Sequence, residues 1–219
     1  MSNVNLGEDE VKSPSAESNL SIIPEAKSSK TGVSVRYVHN PEKLWFVLRA
    51  SYGRALKSAD ILIERGIYVY VAKQYVKKLV DGKMKRVLKP LIPNFIFVYA
   101  TSEEMDDVMN DPRVTTYVSY YYDHFQEVNG KNPPLTVADG EMLNFIRVTS
   151  TQSEHLLFIE ADRCNFKMGE TVRVIDGLFN GVVGKVARVA GQQRVVISIT
   201  NLGLISTAYI PTAFLQRTE

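Results

Sequence analysis

One stretch of this chain, residues 89–100, constrains its fold more than any other. It reads KPLIPNFIFVYA and passes from a basic turn with two prolines into an apolar segment. In an extended strand, alternate side chains point to opposite faces. Phe95, Phe97 and Tyr99 therefore share an aromatic face, and the residues between them form an aliphatic face that suits a core under helices.

The aromatic face has two interpretations. A sheet that is buried on both sides also produces a continuous apolar run. Alternatively, the aromatic face is a docking surface for another molecule. The pattern of this strand alone does not decide between them.

Length and composition limit the remaining possibilities. The 219 residues suit one or two domains, and 45% hydrophobic with 23% charged residues is ordinary for a globular protein. No apolar run approaches the roughly 18–20 residues of a membrane span, and the N-terminus lacks the pattern of a secretory signal. The single cysteine, Cys164, excludes an internal disulfide. We therefore expect a cytoplasmic protein without membrane contact.

The net charge of +2 hides a strong segregation. Residues 45–100 contain eleven Lys/Arg against three Asp/Glu, whereas residues 101–162 contain three Lys/Arg against twelve Asp/Glu. Such asymmetry suggests that one part of the molecule contacts a polyanion. It would also arise from two complementary faces within one fold.

The first 42 residues are rich in Ser, Glu and Lys and contain no Trp or Phe, which predicts a disordered tail. A strand follows at 44–50 and a helix at about 54–64, with Gly66 placed to end it in a left-handed conformation. The basic residues of this helix, Arg54, Lys57 and Arg65, are either a solvated face or a contact with nucleic acid.

A basic hairpin is predicted for residues 68–89. Asp81–Gly82 supplies a tight turn that requires positive φ. Lysines on edge strands can serve only to prevent aggregation. The number of basic residues here exceeds what that role requires, so the hairpin is also predicted to contact the phosphates of a nucleic-acid backbone. The hairpin carries Lys77, Lys78, Lys83, Lys85, Arg86 and Lys89.

The sequence from residue 102 to residue 148 predicts two further helices and a strand. Residues 102–111 form a helix with Ser102 as its N-cap, 113–125 form a strand, and 137–148 form a helix. Residues 43–148 thus predict an α+β domain, an antiparallel sheet with helices on one face. Residues 149–164 are expected to be a linker.

Residues 165–219 contain short β-branched runs separated by glycines, which predicts a small five-stranded β-barrel. Its first part, GETVRVIDGLFNGVVGKV, resembles a KOW module, an SH3-like barrel. Gly177, Gly181 and Gly184 would permit its tight loops and close strand crossings.

The combination of motifs resembles the NusG family of transcription elongation factors. The shared features are LWFVLRA, PLIPNFIFVYA, DPRV at 111–114, the helix at 137–148 and a C-terminal KOW unit. The PNFIFV variant and the YGR…ERG helix are similar to specialised paralogs such as RfaH and the UpxY antiterminators. One departure is the acidic EEMDDVMND helix, which stands where RfaH carries a His-Thr-Thr motif.

The resemblance implies a transcription elongation or antitermination factor. Its NGN-like N-terminal domain would dock on the clamp of bacterial RNA polymerase and suppress pausing or termination. Non-template DNA or nascent RNA would be a further partner, and the KOW domain would recruit Rho or a ribosomal protein of the small subunit. We expect a monomer.

The resemblance and the charge pattern together give three sets of candidate residues. The polymerase-binding set is Ile92, Pro93, Asn94, Phe95, Phe97 and Tyr99. The DNA-binding set is Arg54, Lys57, Arg65, Lys77, Lys83, Lys85 and Arg86. The partner-binding loop of the KOW unit is Gly177, Leu178, Phe179, Asn180 and Gly181, with Phe179 as its anchor.

Two other function classes have less support in the sequence. An RNA- or ribosome-binding module would stack bases on the aromatic strand, although the strand lacks an RNP-like glycine–aromatic motif. An enzyme has little support, because His39, His124 and His155 have no metal-ligand spacing and Cys164 has no evident histidine partner. We therefore predict no catalytic residue, metal or cofactor.

Overall fold

The computed structural model describes residues 23–160 and 167–218. The first range begins with two short strands, β1 and β2, and continues as a mixed α+β unit. Its elements are β1 (Ala26–Lys27), β2 (Ser34–Val35), β3 (Leu44–Ala50), α1 (Ala55–Glu64), β4 (Tyr68–Tyr70), β5 (Lys73–Val80), β6 (Lys83–Pro90), β7 (Phe95–Ala100), α2 (Ser102–Met109), α3 (Pro112–Thr115), β8 (Val118–Tyr120), β9 (Thr136–Val137), α4 (Asp139–Thr149) and β10 (Leu157–Glu160).

The main sheet is antiparallel, with strands in the order β4–β7–β3–β8 and β9 beside β3. The strand at 95–100 lies inside it, between β4 and β3. Tyr99 stands opposite Trp45 on one side and Tyr68 on the other. Because directly opposed residues share a face, the aromatic row of β7 continues across three strands.

Both faces of this sheet are buried, which corrects the prediction that helices would leave one face open. On the aromatic face, Phe145 of α4 packs on Phe97 with ring centroids 5.0 Å apart. On the aliphatic face, Ile96 and Val98 are completely buried. The strand is therefore a core strand, and the interpretation of a sheet buried on both sides holds for most of its length.

The segment at 113–125, predicted as one long strand, is different in the structure. Asp111 caps the helical turn α3 by accepting a hydrogen bond from the backbone N–H of Arg113 (2.9 Å), and Pro112 takes the first helical position. Proline suits that position because its missing N–H would have no partner there. Only Val118–Tyr120 is a strand.

Residues 23–40, predicted as part of a disordered tail, instead form an N-terminal strap on the domain. The Tyr37 ring stacks on Trp45 at 5.7 Å. The Tyr99 hydroxyl donates to the carbonyl of Asn40 (2.8 Å) and accepts from its N–H (2.9 Å). Ser29 donates twice to the buried carboxylate of Asp60. The first 22 residues lie outside the described part of the chain.

The basic hairpin forms as predicted, but it begins later. β4 belongs to the main sheet, and only β5 and β6 make the hairpin, which is a separate two-stranded sheet. Asp81 and Gly82 have φ of 52° and 73°. Two consecutive positive φ values are those of a type I′ turn, whose twist matches paired strands.

The second described range is a six-stranded antiparallel sheet that also includes β10. Its strand order is β10–β14–β13–β12–β11–β15. Within the described residues the two end strands, β10 and β15, do not pair, so the sheet is not a closed barrel. Cys164 lies outside the described residues. The elements are β11 (Met168–Val174), β12 (Val183–Val189), β13 (Gln192–Ile199), β14 (Gly203–Tyr209), a 3₁₀ turn (Thr212–Phe214) and β15 (Leu215–Arg217).

Helix α4 also holds the C-terminal sheet. The Asn144 side chain accepts from the N–H of Val183 (3.1 Å) and donates to its carbonyl. The Arg147 guanidinium donates to the carbonyl of Gly181 (2.6 Å). Apolar residues of both halves form one continuous buried cluster. One helix thus positions both sheets.

Helix α2 provides a test of local stability. Thr101, rather than the predicted Ser102, is its N-cap, and its hydroxyl accepts from the N–H of Glu104 (3.2 Å). The Glu104 carboxylate accepts in return from the N–H of Thr101 (2.9 Å), which completes a capping box. We expect Thr101→Ala to lower the free energy of unfolding by about 1 kcal/mol.

Urea denaturation would measure this change, with Thr101→Ser as the matched control that keeps the hydroxyl. The assignment of the cap is wrong if the alanine and serine variants unfold at the same urea concentration.

Candidate functional site

Phe95 is the one member of the aromatic row of β7 that reaches the surface. Phe97 and Tyr99 are each only 1% exposed, whereas Phe95 at the start of the strand is partly exposed. In the turn before it, Pro93 is exposed and Ile92 is buried. The candidate docking residues that another molecule can touch are therefore those at the beginning of the strand.

A cleft opens beside Phe95, and we call it the Phe95 cleft. Its volume is about 290 Å³. The Phe95 ring meets the edge of Tyr121 with centroids 5.1 Å apart and planes at 83°. Phe125 at its rim is 71% exposed. The lining residues are Phe95, Tyr121, His124, Phe125, Phe158, Glu160, Asn201 and Leu202.

Partly buried hydrogen bonds fix the loop that carries this rim. The carboxylate of Asp123 accepts from the backbone N–H of Phe125 (2.9 Å) and from the side-chain amide of Asn201 (2.7 Å). Asn201 belongs to the C-terminal sheet, so both halves of the molecule hold the cleft together. A loop fixed in this way presents Phe125 to solvent in a defined position.

No pattern in the sequence indicated the cleft directly. Tyr121, His124 and Phe125 fell within the segment predicted as a strand, where their side chains would have alternated between two faces. The run of aromatic residues in YVSYYYDHF was the available signal. Asp123 within this run was a further signal, because an aspartate side chain that accepts from the backbone two residues on favours a turn.

The three basic residues of the first helix have different surroundings. The Arg54 guanidinium lies 3.8 Å from the centre of the Tyr117 ring, a cation–π contact. Arg65 pairs with Asp111 (3.1 Å). Lys57 is exposed, and in the described part of the chain it makes no ion pair. Lys57 is thus the most available cation of this helix.

The carboxylate of Asp111 is held in its charged form. Hydrogen bonds from the Arg113 side chain and backbone, with the charge of Arg65 nearby, lower its pKa to about 2. Because this pKa lies below the ordinary value of about 3.9, the charged group stabilises the fold above roughly pH 4. That contribution is lost as the pH falls towards 2.

The hairpin presents its cations to solvent. The candidate DNA-binding residues Lys77, Lys83, Lys85 and Arg86 are all exposed. Lys85 lies 3.5 Å from Asp81, and the Arg86 guanidinium lies 4.8 Å from the centre of the Tyr75 ring. These residues and the basic residues of α1 belong to separate elements of the fold.

The loop at 177–181 is fixed at both ends. Gly177 and Gly181 have φ of 77° and 84°, which side-chain-bearing residues rarely adopt. Phe179, the predicted partner anchor, is buried in the core, whereas Leu178 is 66% exposed. Burial, with the charge of Arg173 nearby, lowers the pKa of Arg147, which holds Gly181. Leu178 is thus the apolar side chain that this loop exposes to solvent.

No feature of the described residues forms a metal site, since no three His, Cys, Asp or Glu side chains cluster there.

Burial raises the pKa of Tyr70, whose hydroxyl is 2.6 Å from that of Thr149 in the core. Among the helices of the described ranges, none has the length and apolar character to cross a membrane.

Comparison with known proteins finds matches that include the N-terminal domain. Residues 43–146 match the family model described as transcription termination factor nusG. The transcription termination/antitermination protein NusG of Lactococcus lactis is 23% identical over 160 residues, which cover 68% of this chain and 80% of that protein. The NusG protein of Streptococcus pyogenes serotype M1 is 25% identical over 159 residues, covering 68% and 82%.

The different burial of Phe95 and Phe97 leads to a prediction about stability. We expect Phe97→Ala to lower the free energy of unfolding by about 3–5 kcal/mol, as for a large aromatic residue in a packed core. Phe95→Ala should cost only about 1–2 kcal/mol, because it removes partial burial and one edge-to-face contact. Denaturant unfolding of both variants measures the difference, and equal costs would contradict the assigned packing.

Proposed function

We propose that the chain is a transcription termination and antitermination factor of the NusG family, which its match over residues 43–146 and its NusG relatives support, and that it docks on bacterial RNA polymerase through the Phe95 cleft. Docked there, it would act on elongation by suppressing pausing or termination. The family resemblance assigns polymerase contact to residues 92–99 of this sequence. The observation that carries the proposal is the partial exposure of Phe95 at the end of an otherwise buried aromatic row.

The chemistry of the cleft suits a protein partner. Of its exposed members, Phe125 is apolar, and His124 and Glu160 give the cleft a polar edge. Exposed apolar surface with a polar rim beside a rigid sheet is typical of a docking site. The cleft is too small to enclose a partner, so the partner would contact its rim. The half-buried Phe95 would then become fully buried and act as an anchor.

We further propose that the basic side of the domain faces nucleic acid. Lys57 on α1 is the first candidate for the non-template DNA strand. Arg54 and Arg65 would contribute less, because each already has a partner within the chain. Contacts with phosphates require charge and little geometry, so exposed lysines are sufficient for them.

For the C-terminal half we propose an SH3-like KOW domain that recruits a second partner, either Rho or a ribosomal protein of the small subunit. Leu178 replaces Phe179 as the residue expected to reach that partner, since Phe179 is buried. The chain would have two domains, residues 43–148 and 165–219, and would act as a cytoplasmic, non-enzymatic monomer. Specialisation of the RfaH or UpxY type is part of this proposal.

The burial of Phe97 and Tyr99 argues against the alternative of an RNA- or ribosome-binding module that stacks bases on this strand. Base stacking requires aromatic rings with a free face. Phe97 is covered by Phe145. The centre of the Tyr99 ring lies 4.9 Å from that of Trp45, and Tyr37 packs on both Tyr99 and Trp45. No comparable stacking platform remains on this strand.

Binding to polymerase tests the proposal. The tagged full chain and its Phe95→Ala variant would be titrated against purified bacterial RNA polymerase core enzyme, with affinity measured by biolayer interferometry. Loss of a buried aromatic anchor should weaken binding by about 30-fold, the effect of a hot-spot residue. Tyr209→Ala is the matched control, because Tyr209 is an exposed aromatic residue at the C-terminal end of β14 and does not line the cleft.

Circular dichroism would verify that both variants are folded at the assay temperature. Unchanged affinity of a folded Phe95→Ala variant would refute docking at this cleft.

A further inference from the structure

The hairpin of β5 and β6 is the part of the molecule least explained by packing. Within the described residues it pairs with neither of the large sheets. None of its side chains is buried. At a rise of about 3.4 Å per residue, its eight-residue strands span about 27 Å. A ribbon of this length is available to contact another segment of the chain or another molecule.

The pairing register divides the hairpin into two faces, because directly opposed residues share a face. One face carries most of the lysines of the hairpin. The other carries apolar and cationic pairs in alternation, and we call it the mixed face. From the turn to the base, its pairs are Leu79 with Met84, Lys77 with Arg86, and Tyr75 with Leu88.

The mixed face presents an apolar layer and a cationic layer to solvent. Leu79 and Met84 are 63% and 65% exposed. Lys77 and Arg86, in the next layer, are also exposed. The Arg86 guanidinium lies 4.8 Å from the centre of the Tyr75 ring, so its charge is displaced towards the base of the hairpin. A ligand that suits this face offers apolar groups and negative charges about 7 Å apart, the distance between alternate residues of a strand.

The complementary pattern occurs in residues 1–22, which lie outside the described part of the chain. They contain four Asp/Glu against one Lys/Arg. Residues 4–11 read VNLGEDEV. Since alternate side chains of an extended segment share a side, Leu6 would lie on the same side as Glu8 and Glu10. An apolar side chain followed at this spacing by two carboxylates matches the layers of the mixed face.

The described chain begins beside the base of the mixed face. Pro24 lines the same cavity as Lys73, the first residue of β5, which belongs to that face. The Tyr68 hydroxyl donates to the carbonyl of Pro24 (2.6 Å) and fixes this point. Followed backwards from there, the chain reaches Glu10 before Leu6, just as the hairpin reaches its cationic layer before its apolar layer. The two patterns therefore run in the same order.

The connection between Pro24 and Glu10 has a suitable length. It contains 13 residues, 11–23. For a linker of that length the root-mean-square end-to-end distance is about 20 Å. The cationic layer begins four residues from Lys73, at a distance of about 14 Å along the strand. A linker that matches the span in this way gives an effective concentration in the millimolar range. A contact too weak to hold two separate molecules together is therefore sufficient within one chain.

We propose that residues 4–11 dock on the mixed face of the hairpin and compete there with nucleic acid. Leu6 covers the exposed apolar layer, and Glu8 and Glu10 pair with the cationic layer. Because an acidic segment and a polyanion require the same cations, the docked segment lowers the affinity of the hairpin for nucleic acid. This consequence rests on the nucleic-acid contact proposed above for the basic side of the domain. The docking itself is independent of that contact and of the Phe95 cleft.

Intramolecular photocrosslinking tests the docking. Benzoylphenylalanine in place of Leu6 would be irradiated in the full chain at low protein concentration, and the joined peptides would be identified by mass spectrometry after proteolysis. We expect position 6 to crosslink to residues 79–84 of the same molecule. A crosslink to another part of the chain, or none, would overturn the docking. A crosslink found only between two molecules would also overturn it and would assign the face to a second copy.

Two double variants of the hairpin separate its faces. Lys77→Gln with Arg86→Gln removes the cationic layer of the mixed face and should abolish most of the crosslink from position 6. Lys78→Gln with Lys85→Gln is the matched control, because this pair stands on the opposite face. It removes the same charge and should leave the crosslink in place. Equal loss in both variants would contradict docking on the mixed face.

Nucleic-acid affinity tests the competition. Fluorescence anisotropy would measure binding of the full chain to a duplex of about 30 base pairs. Glu8→Gln with Glu10→Gln should tighten binding by about 3-fold, as when the segment covers the face for two-thirds of the time. Asp9→Asn with Glu17→Gln is the matched control, since it removes the same charge from positions outside the proposed pattern. Its affinity should stay close to that of the wild-type chain.

The outcomes distinguish this inference from the proposed function. Equal tightening by both pairs of tail substitutions would overturn the competition, because net charge alone would then explain the effect. A chain that crosslinks as expected but does not bind the duplex supports the docking and refutes the nucleic-acid contact proposed for the basic side. The Phe95→Ala variant should show the same crosslink as the wild-type chain, whatever its affinity for polymerase.

Discussion

The packing of helix α4 on the aromatic face of β7 determines much of the remaining structure. Phe145 covers Phe97, and the N-terminal strap places Tyr37 over Trp45 and Tyr99. Large aromatic rings contribute more free energy in such contacts than they would on an open surface. The row is therefore part of the core, and only its first member, Phe95, is left for contact with another molecule.

Helix α4 has a second role, because the same eleven residues hold the C-terminal sheet. Asn144 and Arg147 bind the backbone on either side of Val182, while Phe145 points into the N-terminal core. The position of the C-terminal half and the covering of the aromatic face thus depend on one element. The Phe95 cleft, lined from both halves, is a consequence of this arrangement.

Local patterns in the sequence predicted the elements whose stability is local. The strand Leu44–Ala50 and the type I′ turn at Asp81–Gly82 were predicted correctly, since alternation and positive-φ residues specify them. The segment after Pro112 was not, because β-rich composition suggested a strand while a proline and an aspartate cap favoured a helical turn. The strap was also missed: a polar segment is ordered here by contacts with residues distant in sequence, such as Asp60.

The candidate site, too, was predicted only where local sequence patterns specify it. The aromatic row was evident from alternation, but which of its members is exposed depends on α4, which lies about 40 residues later in the chain. Phe125 was absent from the candidate residues because its exposure comes from a loop held by Asp123 and Asn201. Burial set by tertiary contacts is not encoded in the spacing of neighbouring residues.

Site-specific photocrosslinking tests the central claim most directly. A benzoylphenylalanine placed at Phe125, on the rim of the Phe95 cleft, would be irradiated in complex with bacterial RNA polymerase, with the same group at Tyr209 for comparison. We expect a crosslink to a large polymerase subunit from position 125 and none from position 209. The absence of a crosslink from position 125 in a complex that still forms would contradict docking at this cleft.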